Sequence, residues 1–277
     1  MKRLKNLFVI IVLNAAVYSV YAQSTVVTRE SMYLNGNVIE MLELVSIVEE
    51  KFGQVEIGSQ TETHFIGFNP DGTAYEYRDN NGKRLYEYKN GRLSRITYEG
   101  FDDLYVKLNG RDEYTYDMNK IRIDSYDTNG KLREVKIVSV NDMMQYLDEK
   151  KYTKDGKLAS INKYEYINER MVQYISYNED GKRSMIKSIE YDEHGNKIKI
   201  IEDVIFLKVI TMFDYFENGF AKSRISITSG KQDKVEFEYE FDSNLNIVEK
   251  REYKVEEKYG ETTRVLTKIY TTRYEYK

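Results

Sequence analysis

The chain has 277 residues, with 42 Lys plus Arg against 46 Asp plus Glu and no cysteine. That rules out a disulfide framework, a cysteine nucleophile and a zinc thiolate, and the small acidic excess argues against a general affinity for nucleic acid or anionic lipid. With 26 tyrosines, one proline (Pro70) and no tryptophan, the composition suits thin, half-buried β-sheet rather than a thick two-sided core.

Residues 1–22 read as a cleaved secretory signal helix. Lys2, Arg3 and Lys5 precede apolar runs from Leu7 to Leu13 and Ala15 to Val17, and Val20-Tyr21-Ala22 supplies a cleavage site. Removing three basic residues leaves 39 against 46, a net charge near −7. The expectation is an exported protein, periplasmic, cell-surface or secreted, with no membrane insertion after cleavage and no nucleic-acid partner. Residues 23–67 read as an N-terminal cap. Within it, 38–52 places apolar residues at 38, 41, 42, 45, 48 and 52, a helical spacing. The preceding Tyr33-Leu34-Asn35-Gly36 has the form of a turn, which favours strand there.

Residues 68–250 carry repeats. Tyr75-Glu76-Tyr77, Tyr86-Glu87-Tyr88, Tyr164-Glu165-Tyr166 and Phe237-Glu238-Tyr239-Glu240-Phe241 place rings on one face of a strand and glutamates on the other. Between strands comes an aromatic residue, a few polar residues and a glycine: Tyr126 to Gly130, Tyr152 to Gly156, Tyr177 to Gly181, Tyr191 to Gly195 and Tyr215 to Gly219. Asn-Gly and Asp-Gly tolerate the positive φ that hairpins need. A spacing near 25 residues implies two strands per unit, and glycines 72, 82 and 91 mark single-strand spacing. Phe241 to Leu245 is a unit without its glycine. Residues 140–151 read as a helical turn or as a strand with an irregular loop, and residues 251–277 as a C-terminal cap. The expected fold is all-β: one domain, 23–277, forming an open antiparallel meander, a solenoid-like sheet of repeated hairpins.

Tyr126-Asp127 to Leu132 and Tyr191-Asp192 to Ile198, with looser copies at 152, 177, 215 and 241, resemble the YD-repeat (RHS-type) family. The stretch from Phe68 to Tyr98 is similar to MORN-type repeats. The resemblance implies an exported bacterial β-protein of the kind common in Bacteroidetes. It also implies shell-forming or carbohydrate-binding roles, although the chain is too short to close a shell.

No catalytic constellation is visible. His64 stands in a Thr-rich strand and His194 in a turn slot that is Asn or Asp elsewhere. No nucleophile elbow or phosphate loop occurs. Asp79 to Gly82 and Asn178 to Gly181 lack the ligand pattern of a calcium loop. The expectation is therefore a non-enzymatic protein without cofactor or metal, binding a glycan or protein or serving structurally at the cell envelope. The candidate ligand platform is Tyr86, Tyr88, Tyr164, Tyr166 and Tyr239, residues that serve equally as cross-strand packing. The alternatives are a glycan-processing hydrolase on a β scaffold and an outer-membrane β-barrel, against which the charges beside the tyrosines speak.

Overall fold

A computed structural model describes residues 27–277 apart from 52, 53, 81, 104, 105 and 259. The expected signal segment, 1–22, and Asn81 of one turn dipeptide lie outside the described residues. Every regular element among these residues is a strand. They are β1 (Val38–Lys51), β2 (Gln54–Ile57), β3 (Thr61–Phe68), β4 (Ala74–Asp79), β5 (Gly82–Lys89), β6 (Arg92–Asp103), β7 (Val106–Asp117), β8 (Lys120–Asp127), β9 (Leu132–Val140) and β10 (Tyr146–Thr153). The chain continues through β11 (Leu158–Ile167), β12 (Arg170–Asn178), β13 (Arg183–Tyr191), β14 (Lys197–Val204), β15 (Leu207–Tyr215), β16 (Ala221–Thr228), β17 (Lys231–Phe241), β18 (Ile247–Lys258) and β19 (Glu261–Tyr276). The ambiguous stretch is thus strand β1 over Val38–Lys51.

The open meander expected from the repeats is overturned, because the sheet closes. From β3 to β19 each strand pairs antiparallel with the next. β1 then bridges the ends, pairing with β19 from Val38 to Ile47 and with β3 from Glu40 to Val45. β2 continues β3 along the same edge of β1, so the nineteen segments make eighteen staves. The two terminal segments expected to cap open edges pair with each other instead, from Val38 with Tyr276 to Ile47 with Lys268. Strands approach only their ladder neighbours, so the barrel is hollow. Eighteen strands about 4.8 Å apart and tilted about 40° make a round section of roughly 18 Å radius.

The register fixes which face is concave. A path at right angles to the strands from Met41 through Ile66, Tyr77, Arg84, Tyr98 and Gly110 ends at Asp127. It rises from near the start of β1 to the far end of β8. A stagger of that sign, with the right-handed twist of L-peptide strands, curls the sheet toward the face bearing these side chains. Crowding agrees: Ile66, Leu93 and Val138, among the most deeply covered side chains of this face, lie in local clusters with tyrosines, and Lys187 is as deeply covered.

The turns follow one scheme. In 127–131, 153–157, 178–182, 192–196, 216–220 and 242–246 the first N–H donates to the fifth carbonyl and the fourth N–H to the first. Where the first residue is Asp127, Asn178 or Asp242, its Oδ1 also accepts from the third and fifth N–H groups. The fourth position has positive φ, which is why Gly130, Gly156, Gly181 and Gly219 stand there. The same bonds close 69–73 and 141–145. One rim of the barrel carries the start of β1 and the end of β19; this is called the terminal rim, and the opposite one the distal rim.

Candidate functional site: the barrel lumen

Near the terminal rim, the inner face carries a ring of tyrosines that stitch the staves together. The hydroxyls of Tyr88, Tyr116, Tyr191, Tyr215, Tyr239 and Tyr274 donate to the carbonyls of Ala74, Leu93, Met171, Lys197, Ala221 and Ile247, at 2.8–3.0 Å. Each tyrosine lies within the last three residues of one strand, and each acceptor within the first two of the strand before it. Burial pushes the Tyr215 and Tyr239 phenols up to about 12, so they remain hydroxyl donors at any physiological pH.

The candidate platform is thereby located. Tyr86 and Tyr88 lie on β5, Tyr164 and Tyr166 on β11 and Tyr239 on β17, so they occupy three separate sectors of the circumference. Tyr86 is buried in the cluster that includes Ile66 and Leu93. Tyr164 packs edge-on against Tyr146 and tilted against Tyr174. Tyr239 lies among Phe216, Phe220, Phe237 and Phe241. Within each sector the rings pack on neighbours.

Beyond the ring, at mid-height, the same face carries charge of both signs. Lys151 and Lys136 reach Glu134 at 2.6 and 3.5 Å. Asn162 donates to Glu149, and Tyr174 donates to Asn162. Tyr98 donates to Asp112 at 2.8 Å, and burial followed by that carboxylate raises its phenol. Lys187 and Glu202 face each other at 3.2 Å, with the lysine side chain only 2% exposed. At the closing seam, Lys268 sits 3.5 Å from Glu252 and His64 3.4 Å from Glu43. Burial lowers the His64 imidazole, with Glu43 opposing, and the ring stacks on Tyr77. Thr63 donates its hydroxyl to the carboxylate and carbonyl of Glu43 rather than to the imidazole, so this cluster lacks a nucleophile held on a base. Among the described residues no group of His, Asp and Glu is placed to hold a metal ion. His194 stands in its turn, exposed, 3.5 Å from Glu193.

This belt lies on the tyrosine side of the strands and was missed in the sequence, where glutamates were assigned to the face opposite the rings. The signal was present in the spacing: Lys268, Tyr270, Thr272 and Tyr274 share one parity, as do Lys250, Glu252 and Lys254.

The outer face differs. Arg95 bridges Glu87 and Glu113 at 3.3 and 3.5 Å, and Arg111 joins Glu113 at 2.7 Å. Arg264 bridges Glu236 and Glu238, and Arg122 pairs with Asp124. From β11 to β16 this face instead presents half-exposed aliphatics, with Ile175 opposite Ile186, Ile201 opposite Ile210 and Ile210 opposite Ile227.

A second concavity lies at the terminal rim. Residues 27–37 cross it from the β3–β4 turn to the β17–β18 turn. Arg29 N–H donates to Gly72 and Ala74 N–H to Val27. Asn35 and Asn246 exchange hydrogen bonds, and Lys277 N–H donates to Asn37 at 3.0 Å. Beside this strap is a cleft of about 580 Å³ lined by Tyr33, Leu34, Asn35, Asn218, Phe220 and Phe241 among others.

A family described as a protein of unknown function (DUF2963) matches residues 152–202, and the YD-repeat resemblance finds no family match. No curated protein matches the chain. Among solved structures, a porin-like protein from Bacteroides uniformis aligns at TM-score 0.51 and 11% identity, covering 87% of this chain and 99% of that one. A porin-like protein from Bacteroides vulgatus aligns at 0.28 and 8%, covering 86% and 98%. The Photorhabdus luminescens Tc holotoxin pore aligns at 0.28 and 13%, covering 80% of this chain and 14% of that one. The first likeness establishes the fold: a closed antiparallel barrel.

Proposed function

We propose that this chain is a non-enzymatic, exported barrel of the bacterial cell envelope that stands in water and takes a polar ligand, foremost a glycan, into its lumen. The observation that carries the reading is the distribution of charge over both faces. A lipid-facing arginine costs about 2–4 kcal/mol at the bilayer midplane, falling to about 0–1 near the interfaces; Arg111 stands on the outer surface at the middle of β7, with Arg95, Arg122 and Arg264 nearer the ends of their strands, all in ion pairs. Inside, neighbouring acids and bases offset one another, so the lumen has no strong preference for ions of one sign. Amide, hydroxyl and carboxylate groups beside tyrosine edges suit sugar hydroxyls and ring C–H faces.

The test uses residues 23–277. The expected result is recovery without detergent and saturable binding on a glycan array, weakened by Asn162→Ala together with Glu149→Ala in the lumen. Recovery only in detergent, or glycan binding unaffected by the lumen substitutions, overturns the reading.

The second reading is an outer-membrane pore. It is favoured by the isoleucine rows on β11–β16 and by the barrel likeness. It expects stepwise conductance in planar bilayers, which the first reading does not.

A further inference from the structure

The pairing of acids with bases on the inner face has a gap in the sector that runs from β16 through the seam to β3. Lys231 pairs with Asp233 at 3.4 Å and Lys254 with Glu256 at 2.6 Å. Lys268 holds Glu252, and His64 with Thr63 holds Glu43. Two inward cations are left over. Arg224 stands on β16 opposite Val235, and Lys250 on β18 opposite Tyr239. Among the described residues neither makes an ion pair or a hydrogen bond with a carboxylate.

The two lie together. The register sets Lys250 between Tyr239 of β17 and Tyr270 of β19, and its Nζ is 3.9 Å from the centroid of the Tyr270 ring. Burial lowers the Lys250 ammonium below the usual lysine value; Glu43 and Glu252 oppose this, and Arg224 and Lys268 add to it. The Arg224 charge also acts on the Tyr270 phenol, which burial and then the same two carboxylates raise. Around this ring three cations, Arg224, Lys250 and Lys268, thus meet two carboxylates, Glu43 and Glu252. Among the described residues the Tyr270 hydroxyl makes no hydrogen bond, unlike the hydroxyls of the tyrosine ring near the rim. A guanidinium, an ammonium and a phenol O–H, each a donor, therefore gather without an acceptor. A covered cation without a partner carries a desolvation cost, and such a group on the wall of a cavity marks a place that a ligand completes.

We propose that Arg224, Lys250 and Tyr270 form a carboxylate-binding site on the lumen wall, which takes an acidic sugar, the uronic acid of a glycan. The inference rests on the reading that the lumen takes a glycan, and it names the kind. The planar Arg224 fork matches the two oxygens of a carboxylate, Lys250 adds a point charge and Tyr270 an O–H donor. One positive charge in excess suits a singly charged group. The rings of Tyr239 and Tyr270 flank Lys250 and offer apolar surface to the sugar ring that bears the carboxylate. The chain as a whole is acidic, so a general pull on anions does not account for the cluster.

The test is calorimetric titration of the full chain with trigalacturonate, with its fully methyl-esterified form, which keeps the rings without the charge, and with sodium acetate. Trigalacturonate should bind at least about tenfold more tightly than the ester, and acetate should compete only at a concentration higher by about a hundredfold or more. Arg224→Gln and Lys250→Met should each abolish the preference for the acid while leaving affinity for the ester within about twofold. Lys254→Met, which removes a paired lysine of the same strand and face, should leave the preference intact at physiological salt. The circular-dichroism spectra of the three variants should match the parent. Equal affinity for acid and ester, or a preference that survives both Arg224→Gln and Lys250→Met, overturns the site while the lumen reading stands. Acetate binding as tightly as the trisaccharide overturns the sugar as carrier of the charge, and binding of no probe overturns the site. Failure of the lumen reading itself is seen separately, as a glycan array without saturable binding.

Discussion

The Lys187–Glu202 pair shows how much the inner face depends on single contacts. Both side chains are almost wholly covered, and an ion pair so placed is a weak net stabiliser but an expensive one to break. Glu202→Gln leaves the Lys187 ammonium opposite a neutral amide and should lower stability by about 3–5 kcal/mol. Lys187→Met combined with Glu202→Leu should recover most of that loss. Urea unfolding of the two variants checks this, and equal midpoints would count against burial as the cause. Little of the pair was legible in the sequence. Lys187 and Glu202 look like any charged residues in a strand, and only the register, which sets them opposite each other, turns them into partners. The tyrosines were legible as strand markers. Their use as donors to the carbonyl that opens the preceding strand was not, because it depends on which end of the strand lies at which rim.

The hairpin is the element that the sequence describes best. The aromatic, the aspartate or asparagine that accepts turn N–H groups, and the glycine with positive φ each have a role visible in the spelling of the repeat. The two departures from that spelling, Met144 and Leu245, give the clearest prediction at this scale. Met144→Gly relieves the left-handed strain at the cost of extra unfolded-state freedom, for a net gain of about 0.5–1 kcal/mol. Thermal unfolding should show a raised midpoint; an unchanged or lowered midpoint would contradict the strain assigned to this position. Bulges are the part of the element the sequence hides. Those between Glu87 and Tyr88, Ser125 and Tyr126, and Glu240 and Phe241 each place one extra residue on the following strand, Ser94, Arg133 and Val248, opposite a repeat aromatic, and shift which side chains share a face.

At the scale of the whole molecule, open and closed sheets are spelled alike. Closure depends on the accumulated stagger of eighteen pairings and on contacts between chain ends more than 200 residues apart, such as Asn35 with Asn246, neither of which leaves a local mark. The meeting of the ends has its own test. Lys277 N–H lies 3.0 Å from the Asn37 carbonyl, so a chain joined there by a short linker and opened between Asp155 and Gly156 should fold to the same barrel, with an unchanged circular-dichroism spectrum and hydrodynamic radius. Aggregation of that permutant would show that the order of synthesis, rather than the ring alone, directs assembly. A ring made of interchangeable staves has one further property. Its bore is counted rather than graded: duplicating a single unit of some 25 residues would add two staves and widen the circle by about a tenth. Relatives built on this plan should therefore differ in calibre by discrete steps, readable from how many times the phrase recurs.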